Sequence, residues 1–429
     1  GNFSNAAADT AIAWLQDSGQ YTAVRGFLWQ QYSRTLSKRA NRPLWAEISA
    51  TLAEDDKAET GQLLSTFDES LPRYDRVNAA RAVDDLRLAQ TAAFETQSDQ
   101  IEDDQTHKQL TETLLAFSDH AGFAAGWRRI DGLDETATGL NYHYAIDPRL
   151  SFDLQWGNVQ RRATDESIIR NVPNEQLFGA KLNWRHPNGE TSFMVQQIDS
   201  FALYTPLLLE HEQRIDNRLS LRFGLGTQLP ARDTVPLQVA GMQDLASISL
   251  RYRPTRMDEI VMAYWRDRYQ LQTGGKLGDG QHVALTAAHA YRQETRDLEF
   301  SAFWSNHQYF NREYDLGGFD RQDLKIVRLL PEGFTPGPDY FLPANFSFYG
   351  VRVSTDVRYQ REYTRALRPF GSVAGTYHTS FGAGYDVFLG IAGSIFGTDH
   401  FALSGGISQS GLQTGGLVKG LAFTYRIHF

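Results

Sequence analysis

The sequence predicts an N-terminal α-helical region of TPR-like repeats, followed by a transmembrane antiparallel β-barrel of 16 strands. Three observations predict this division. Apolar residues recur every three or four positions up to about residue 105, which is typical of helices. From about residue 120 they alternate with polar residues, which is typical of strands. The chain ends on one such alternating stretch, at Phe429.

The composition of the 429 residues excludes several classes of protein. The absence of Cys excludes disulfide scaffolds and thiolate metal sites. A mean hydropathy of −0.43 and the lack of about 18 consecutive apolar residues exclude membrane-spanning helices, whereas barrel strands average out as hydrophilic. With 42 basic and 51 acidic residues, we expect no nucleic-acid partner, since such a partner requires a basic surface.

Residues 1–105 are predicted to form antiparallel helix pairs. Breaks fall at Ser18-Gly19, Asn41-Arg42-Pro43, Glu54-Asp55-Asp56 and Leu71-Pro72. Pairs repeating about every 34 residues indicate a tetratricopeptide (TPR) solenoid, but the usual Gly and Tyr of the first helix are absent, and a plain helical bundle remains an alternative. Because a few repeats lack a neighbour on one side, we expect the chain to be the end of a longer array.

The negative charge is concentrated in this first region. It holds 17 acidic and 10 basic side chains, against 34 and 32 in the remainder. The acidic run Glu102-Asp103-Asp104 is either a solvated hinge or a docking site. Residues 106–120 have helical spacing and are predicted to form a linker helix at the periplasmic mouth; a plug in the lumen is the alternative.

Residues 121–429 are predicted to form the barrel. The alternating stretches are about ten residues long, enough to cross a bilayer at a tilt. Tight turns alternate with long connections at 161–174, 229–243 and 310–346, which is typical of a bacterial outer-membrane protein. Both barrel ends facing the periplasm require an even number of strands. The count therefore includes the irregular stretch 204–215, and it also includes a strand at 347–363.

The last ten residues, Gly420–Phe429, place five apolar residues on one face. This resembles the C-terminal signal that the barrel-assembly machinery reads. The residues predicted to form that signal are Gly420, Phe423, Tyr425 and Phe429.

Charged side chains on the other face of the strands cannot face lipid, where each would cost about 2–4 kcal/mol at the midplane. We expect them to line a water-filled lumen, either as a ladder of ion pairs or as contacts for a passing polymer. The candidates are Asp153, Lys181, Arg185, Glu210, Glu212, Arg214, Arg222, Arg251, Arg253, Glu299, Arg352, Asp356, Arg358 and Asp386. Phe303 and Phe388 are candidates for stacking on sugar rings, or they fill space beneath a loop.

The connection 310–346 is far longer than a turn requires, and its apolar residues argue against disorder. We expect it to fold inward as a gate; an external cap is the alternative. The gate candidates are Asp320, Arg321, Asp323, Lys325, Arg328 and Glu332.

No catalytic motif is present, so we expect neither an enzyme nor a cofactor or metal site. His282 and His289 are predicted on opposite faces of one strand and cannot share a metal ion. A barrel-anchored scaffold or adhesin, and an outer-membrane hydrolase with a site at the rim, remain alternatives.

A family resemblance rests on the architecture, on Tyr74–Val83 (YDRVNAARAV) and on Gly420–Phe429. These resemble the outer-membrane exporters of bacterial exopolysaccharides, which include those for cellulose and poly-N-acetylglucosamine, and within them the PelB family of Pel exporters at its C-terminal end. The resemblance implies export of a cationic, partially deacetylated polysaccharide involved in biofilms. It also implies a periplasmic scaffold that binds a modifying enzyme, and a PelC-like lipoprotein ring as partner. It carries over no catalytic residues.

Overall fold

The computed structural model describes residues 2–36, 42–99, 102–116, 118–292, 296–311, 323–334 and 337–429. The chain divides into two compact units, Gly1–Phe117 and Ser118–Phe429. Within the described residues, no helix is both long and apolar enough to span a membrane.

The described residues of the first unit form seven α-helices, whose ends follow the predicted breaks. Gly19 adopts a φ of +71° between the first two helices, a conformation that suits Gly. The Asp56 side chain accepts the backbone N–H of Glu59 at 3.0 Å and so caps the fourth helix. The helices are α1 (Asn2–Asp17), α2 (Tyr21–Leu36), α3 (Leu44–Ala53), α4 (Lys57–Phe67), α5 (Arg73–Ala82), α6 (Leu86–Asp99) and α7 (Asp104–Leu115).

These helices stack in the manner of a repeat array. Each helix packs on the next, and α1, α3, α5 and α7 also contact one another in series. One buried cluster joins α1, α2 and α3, a second joins α3 to α6, and a third joins α5, α6 and α7. The arrangement is therefore TPR-like rather than a plain bundle.

The second unit is a closed antiparallel barrel. Strands that follow one another in the chain pair with each other, except that β6 and β7 both pair with β5, and β1 pairs with β17, which closes the ring. The strands are β1 (His120–Ile130), β2 (Leu133–Ala145), β3 (Leu150–Ala163), β4 (Glu175–His186), β5 (Gly189–Asp199), β6 (Leu203–Tyr204), β7 (Leu207–Arg214), β8 (Leu219–Pro230), β9 (Gly241–Tyr252), β10 (Asp258–Leu271), β11 (Lys276–Arg292), β12 (Leu298–Asn311), β13 (Phe346–Thr355), β14 (Arg368–His378), β15 (Gly382–Gly393), β16 (Asp399–Gln409) and β17 (Leu417–His428).

The predicted count of 16 strands is confirmed. The pieces β6 and β7 both pair with β5 and form one strand of the barrel, interrupted at Thr205-Pro206. Pro206 has no N–H to donate to a ladder, although its carbonyl oxygen still accepts the N–H of Gln196 at 3.0 Å. This explains why the stretch 204–215 has an irregular apolar pattern.

The outward face of the barrel is apolar. Leu140, Trp156, Phe178 and Leu225 are 44–59% exposed although they are large hydrophobic residues, and the register places the first three side by side across β2, β3 and β4. Such a continuous exposed apolar surface is stable in a lipid bilayer rather than in water.

The two ends of the barrel differ in their connections. The start of β1 and the end of β17 lie at one end of the barrel, here called the periplasmic end. The turns at 146–149, 187–188 and 215–218 lie at the same end. The predicted long connections lie at the other end, the outer end, as 164–174, 231–240 and 312–345.

The predicted strand 347–363 is wrong in its second half. β13 ends at Thr355, and a 3-10 turn spans Val357–Gln360 within a long periplasmic connection, 356–367. Asp356 adopts a φ of +51°, and its carboxylate accepts the backbone N–H groups of Arg296 and Asp297. The left-handed residue ends the strand even though the apolar alternation continues.

Candidate functional site

The lumen is the candidate site, because most of the predicted charged residues lie on its wall. In the strand register they occupy the positions that alternate with the exposed apolar residues, so their side chains lie on the inner face. The residues placed in this way are Asp153, Lys181, Arg185, Glu210, Glu212, Arg214, Arg222, Arg251, Glu299, Arg352 and Asp386.

Near the periplasmic end, several of these charges form a ladder of loose ion pairs across β7 to β10. Arg222 lies 3.9 Å from both Glu210 and Glu212. Arg251 lies 3.8 Å from Glu212 and 3.7 Å from Glu259. These five side chains are 31–54% exposed, so they remain in contact with solvent in the lumen. We call this set the charge ladder.

Other predicted residues have separate neighbours. The Asp153 carboxylate contacts His143 Nδ1 at 2.6 Å, accepts a hydrogen bond from Asn183 at 2.6 Å, and lies opposite Lys181 in the register. The Arg352 guanidinium carbon lies 5.4 Å from the centroid of the Phe303 ring.

Two further predicted residues, Arg185 and Asp386, lie outside the charge ladder. Arg185 lies 3.8 Å from Glu190 across β4 and β5. Asp386 forms no ion pair within the part of the chain that the structure describes.

Three predicted lumen residues lie beyond the ends of strands. Arg253 follows the last residue of β9 and pairs with Glu259 at 2.8 Å. Asp356 is buried in the periplasmic connection 356–367, and Arg358 in the same connection lies 3.7 Å from Asp297. The prediction that Asp356 and Arg358 lie on a strand of the lumen wall is therefore wrong. The left-handed backbone at Asp356 ends β13, so both residues lie in the periplasmic connection.

The outer mouth of the barrel is filled by its own loops. Three short helices occur there: α8 (Val235–Ala240), α9 (Asp323–Leu329) and α10 (Pro338–Phe341). Their apolar residues form one buried cluster with inner-face residues of the wall. We call this cluster the cap, and its members include Val235, Leu237, Tyr269, Tyr309, Ile326, Leu329, Phe341, Phe346 and Phe348.

Backbone and side-chain hydrogen bonds tie the cap loops to one another. The Arg170 N–H donates to the Leu329 carbonyl oxygen at 2.9 Å. The Tyr340 hydroxyl donates to the Ile168 carbonyl oxygen at 2.6 Å, and Thr234 donates to the Phe341 carbonyl oxygen at 2.5 Å. The connections 164–174 and 231–240 and the described residues 323–334 and 337–345 are thus tied together at the outer mouth.

The predicted gate residues are spread over the longest connection. Asp320 and Arg321 lie outside the described residues. Asp323 and Lys325 belong to α9. Arg328, also in α9, is exposed, and its carbonyl oxygen accepts a hydrogen bond from Asn171 at 3.0 Å. Glu332 is exposed just after α9. The residues that hold the cap are apolar, so the prediction of charged gate residues missed them.

A buried charge cluster lies directly beneath α8. Arg161 of β3 donates to Glu135 of β2 at 2.9 Å and to Glu175 of β4 at 2.8 Å. The Arg161 side chain is only 4% exposed. Gln238 of α8 donates to the second oxygen of Glu135 at 2.7 Å. We call Glu135, Arg161 and Glu175 the triad; it links the wall to the cap.

A second polar contact fixes the same loop on the opposite wall. The Tyr309 hydroxyl donates to Asp233 at 2.9 Å. Burial raises the pKa of Asp233 above its usual range. Asp267 and His282, in contact at 3.2 Å, lie nearby on the inner face of β10 and β11.

A cavity of about 460 Å³ extends below the triad along the wall of β15, β16, β17 and β1. Arg232 and Gln238 form its roof, and Phe388 and Asp386 lie on its side. The wall residues that face the cavity at this point have small side chains. They are Gly126, Ala137, Ser404, Gly406, Gly420 and Ala422. A Cβ added at Gly406 would meet its nearest atom, the Val387 carbonyl oxygen, at 3.4 Å, which is ordinary van der Waals contact.

Sequence reasoning missed the triad, α8 and this cavity. The triad joins residues 14–40 positions apart that only the strand register brings together. A signal for α8 did exist, since Thr234 caps the helix and Pro236 follows within its first turn. The predicted assembly-signal residues lie in β17, apart from Phe429, which follows it and is exposed.

Comparison with known proteins agrees with this architecture. The chain matches the family model of the PelB C-terminal β-barrel domain over residues 115–428. Among solved structures it is similar to a bacterial polysaccharide outer membrane secretin, with 9% identity and a TM-score of 0.53 over 73% of this chain and 99% of that one. No curated protein matches the chain in sequence.

Weaker similarities extend to other solved structures. OccAB1 of Acinetobacter baumannii aligns with a TM-score of 0.40 and 9% identity over 72% of this chain and 95% of that one. OccK5 (OpdH) of Pseudomonas aeruginosa aligns with a TM-score of 0.37 and 11% identity, covering 73% and 98%.

The likeness to the secretin shows a shared barrel fold, and the family model covers more than half of the chain. The closed 16-strand barrel lies in the bacterial outer membrane, and the helical region lies in the periplasm. The chain belongs to the PelB family, and its residues 115–428 are the C-terminal β-barrel domain of that family.

Proposed function

We propose that the protein is a passive pore that exports a polysaccharide, cationic and Pel-like, across the outer membrane. The observation that carries the proposal is a closed barrel whose inner wall holds solvent-exposed charges. Family membership supports the same function, as does the barrel fold shared with a protein described as a polysaccharide secretin. In this proposal the lumen only guides the polymer, and the protein is not an enzyme.

The cap is proposed as the gate, and the connection 310–346 is proposed as its movable part. Its apolar contacts with the inner-face residues Tyr309 and Phe346 support this role. Such contacts can be broken without cleaving a covalent bond or unpairing a strand of the barrel. In planar bilayers we expect a small single-channel conductance for the intact protein and a clear increase after deletion of 310–346. An unchanged conductance would remove the gate. Zero conductance in both proteins would favour the alternative of a plugged scaffold or adhesin.

The charge ladder is proposed to guide the polymer by electrostatic attraction. The double substitution Glu210→Lys and Glu212→Lys places two cations beside Arg222, and it should reduce secretion of a cationic polymer. The matched control is Glu166→Lys, because Glu166 is 79% exposed on an outer connection. Heat-modifiable migration on a denaturing gel verifies that each barrel is folded. Equal secretion by both variants would contradict electrostatic guidance.

We also propose three protein partners. The acidic helical region would attract a cationic chain toward the lumen, and we propose it as the surface for a periplasmic modifying enzyme. A PelC-like lipoprotein ring would surround the periplasmic entrance. The final strand, with Gly420, Phe423, Tyr425 and Phe429, would be read by the barrel-assembly machinery.

A further inference from the structure

Outward-facing residues of β1 change from apolar to basic toward the outer end of the barrel. Phe123 and Trp127 are followed on the same face by Arg129, two positions before the turn at Asp131-Gly132. The Arg129 guanidinium carbon lies 5.8 Å from the centroid of the Trp127 ring. Because aromatic residues mark the membrane interface in outer-membrane barrels, Arg129 lies at the level of the headgroups of the outer leaflet.

Two more cations lie at the same height on neighbouring strands. In the register, Lys419 of β17 is opposite Arg129, Arg129 is opposite Asp134 of β2, and Asp134 is opposite Arg162 of β3. Arg129, Arg162 and Lys419 are all exposed. With about 4.8 Å between strands, the set spans about 14 Å of the surface. We call Lys419, Arg129, Asp134 and Arg162 the basic row.

The charge of the basic row is not balanced within the protein. Asp134 pairs with Arg129 at 2.5 Å. In the described part of the chain, neither Arg162 nor Lys419 forms an ion pair. Lys419 also lies directly opposite Arg129, an arrangement of like charges that destabilises a strand pair. A bound anion at this position would remove both penalties.

We propose that the basic row binds the phosphate groups of a phosphorylated glycolipid in the outer leaflet. Arginine offers paired N–H donors that match phosphate oxygens, and lysine adds a compact positive charge. The width of the row fits a headgroup with two phosphates better than a single free ion. The proposal does not depend on what passes through the lumen.

β10 offers a matched control at the same end of the barrel. Arg266 and Arg268 are also exposed on the outward face. Arg268, however, lies opposite Asp244 on one side and Asp279 on the other, and it is 3.7 Å from Asp279. Two carboxylates therefore flank Arg268, and the set of Arg266, Arg268, Asp244 and Asp279 has no net charge, so no lipid phosphate is required.

The test uses the full chain folded in detergent and incubated with lipid A, with its dephosphorylated form, or with inorganic pyrophosphate. Native mass spectrometry and the midpoint of thermal unfolding report binding. We expect lipid A to be retained and to raise the midpoint. The triple variant Arg129→Gln, Arg162→Gln and Lys419→Gln should retain lipid at least about tenfold less, since it removes all three charged donors to the phosphate groups.

The control variant Arg266→Gln, Arg268→Gln should retain lipid A as the unmodified chain does. The single variant Lys419→Gln, which leaves the Arg129–Asp134 pair in place, should show a smaller loss and guards against a folding defect in the triple variant. Equal retention by the triple variant, an equal loss in the β10 control, or equal binding of dephosphorylated lipid would overturn the proposal. Pyrophosphate binding as tight as that of lipid A would overturn the lipid as the source of phosphate.

Discussion

The two halves of the lumen wall use the same residue types in opposite ways. In the charge ladder near the periplasmic end, Arg222 and Arg251 are 54% and 42% exposed and lie 3.7–3.9 Å from their partners. Near the outer end, Arg161 is 4% exposed and lies 2.8–2.9 Å from two carboxylates. The charges of the wall are therefore exposed at one end and buried beneath the cap at the other.

This difference in burial fits the two proposed roles, guidance of the polymer by the charge ladder and closure of the mouth by the cap. Exposed ion pairs contribute at most about 1 kcal/mol, so the charge ladder can exchange its partners for a passing ligand. A buried arginine that joins two carboxylates cannot be removed cheaply, because the carboxylates would then be buried without a partner. The triad is thus suited to fix α8 in place, and the charge ladder is suited to transient contacts.

The largest expected effect comes from breaking the triad. Arg161→Met leaves the carboxylates of Glu135 and Glu175 largely buried without their cation, and should lower the free energy of unfolding by about 3–5 kcal/mol. Urea unfolding of the protein in lipid vesicles measures this change. The matched variant Arg222→Met in the charge ladder should change it by no more than about 1 kcal/mol. Equal losses would show that the two halves do not differ as described.

The next effect concerns the apolar contacts of the cap. Leu237 of α8 is fully buried, and Leu237→Ala should destabilise the closed cap by about 2–5 kcal/mol. We expect a higher open probability in single-channel recordings. Leu412, which is 47% exposed on an outer connection, provides the control as Leu412→Ala. A closed channel with normal stability would show that α8 does not hold the cap shut.

A third variant tests whether the cavity beneath the triad is part of the passage. Gly406→Trp projects a large ring into the cavity, since an added Cβ at this position has ordinary contacts at 3.4 and 3.7 Å. In the protein lacking 310–346, this substitution should reduce conductance. The control is Gly375→Trp, on the outward face, where an added Cβ meets no atom within 4 Å. Equal conductance in the two variants would place the passage elsewhere.

The smallest effect is a pH dependence of the cap. Burial raises the pKa of Asp233, so the closed cap favours the neutral carboxyl group. As the pH rises above about 4, the usual value for Asp, the open form ionises first and the closed form loses stability until the raised pKa is passed.

Open probability should therefore increase with pH within this window. Asp233→Asn should flatten the increase, with its neighbours Asp267, His282 and Tyr309 left unchanged. An unchanged slope in Asp233→Asn would show that Asp233 does not cause the pH dependence.

Local periodicity was sufficient to predict most of the fold. The helix breaks at Gly19 and Pro72, the strand interrupted at Pro206 and the total of 16 strands all follow from residue patterns and from the requirement that both ends of the barrel face one side. The end of β13 could not be predicted in this way, because the left-handed backbone of Asp356 depends on N–H groups from a distant connection.

The candidate site was predictable only in part. Alternation places a charge such as Glu212 on the inner face, but it does not show whether that charge stays exposed. That depends on the loops above it: the cap buries Arg161 and leaves Arg222 in water. The acidic run at Glu102-Asp103-Asp104 also has a local role, since Asp103 accepts the N–H of Gln105 at 2.8 Å and caps α7.

The seam between β1 and β17 sets the order in which the ring can be completed. His120 lies opposite His428, more than 300 positions later in the chain. While β17 is missing, β1 and β16 each present an unpaired edge, and such edges readily join other strands. A barrel that lacks β17 would therefore keep two unpaired edges, on β1 and β16, and is expected to aggregate more readily than the closed ring.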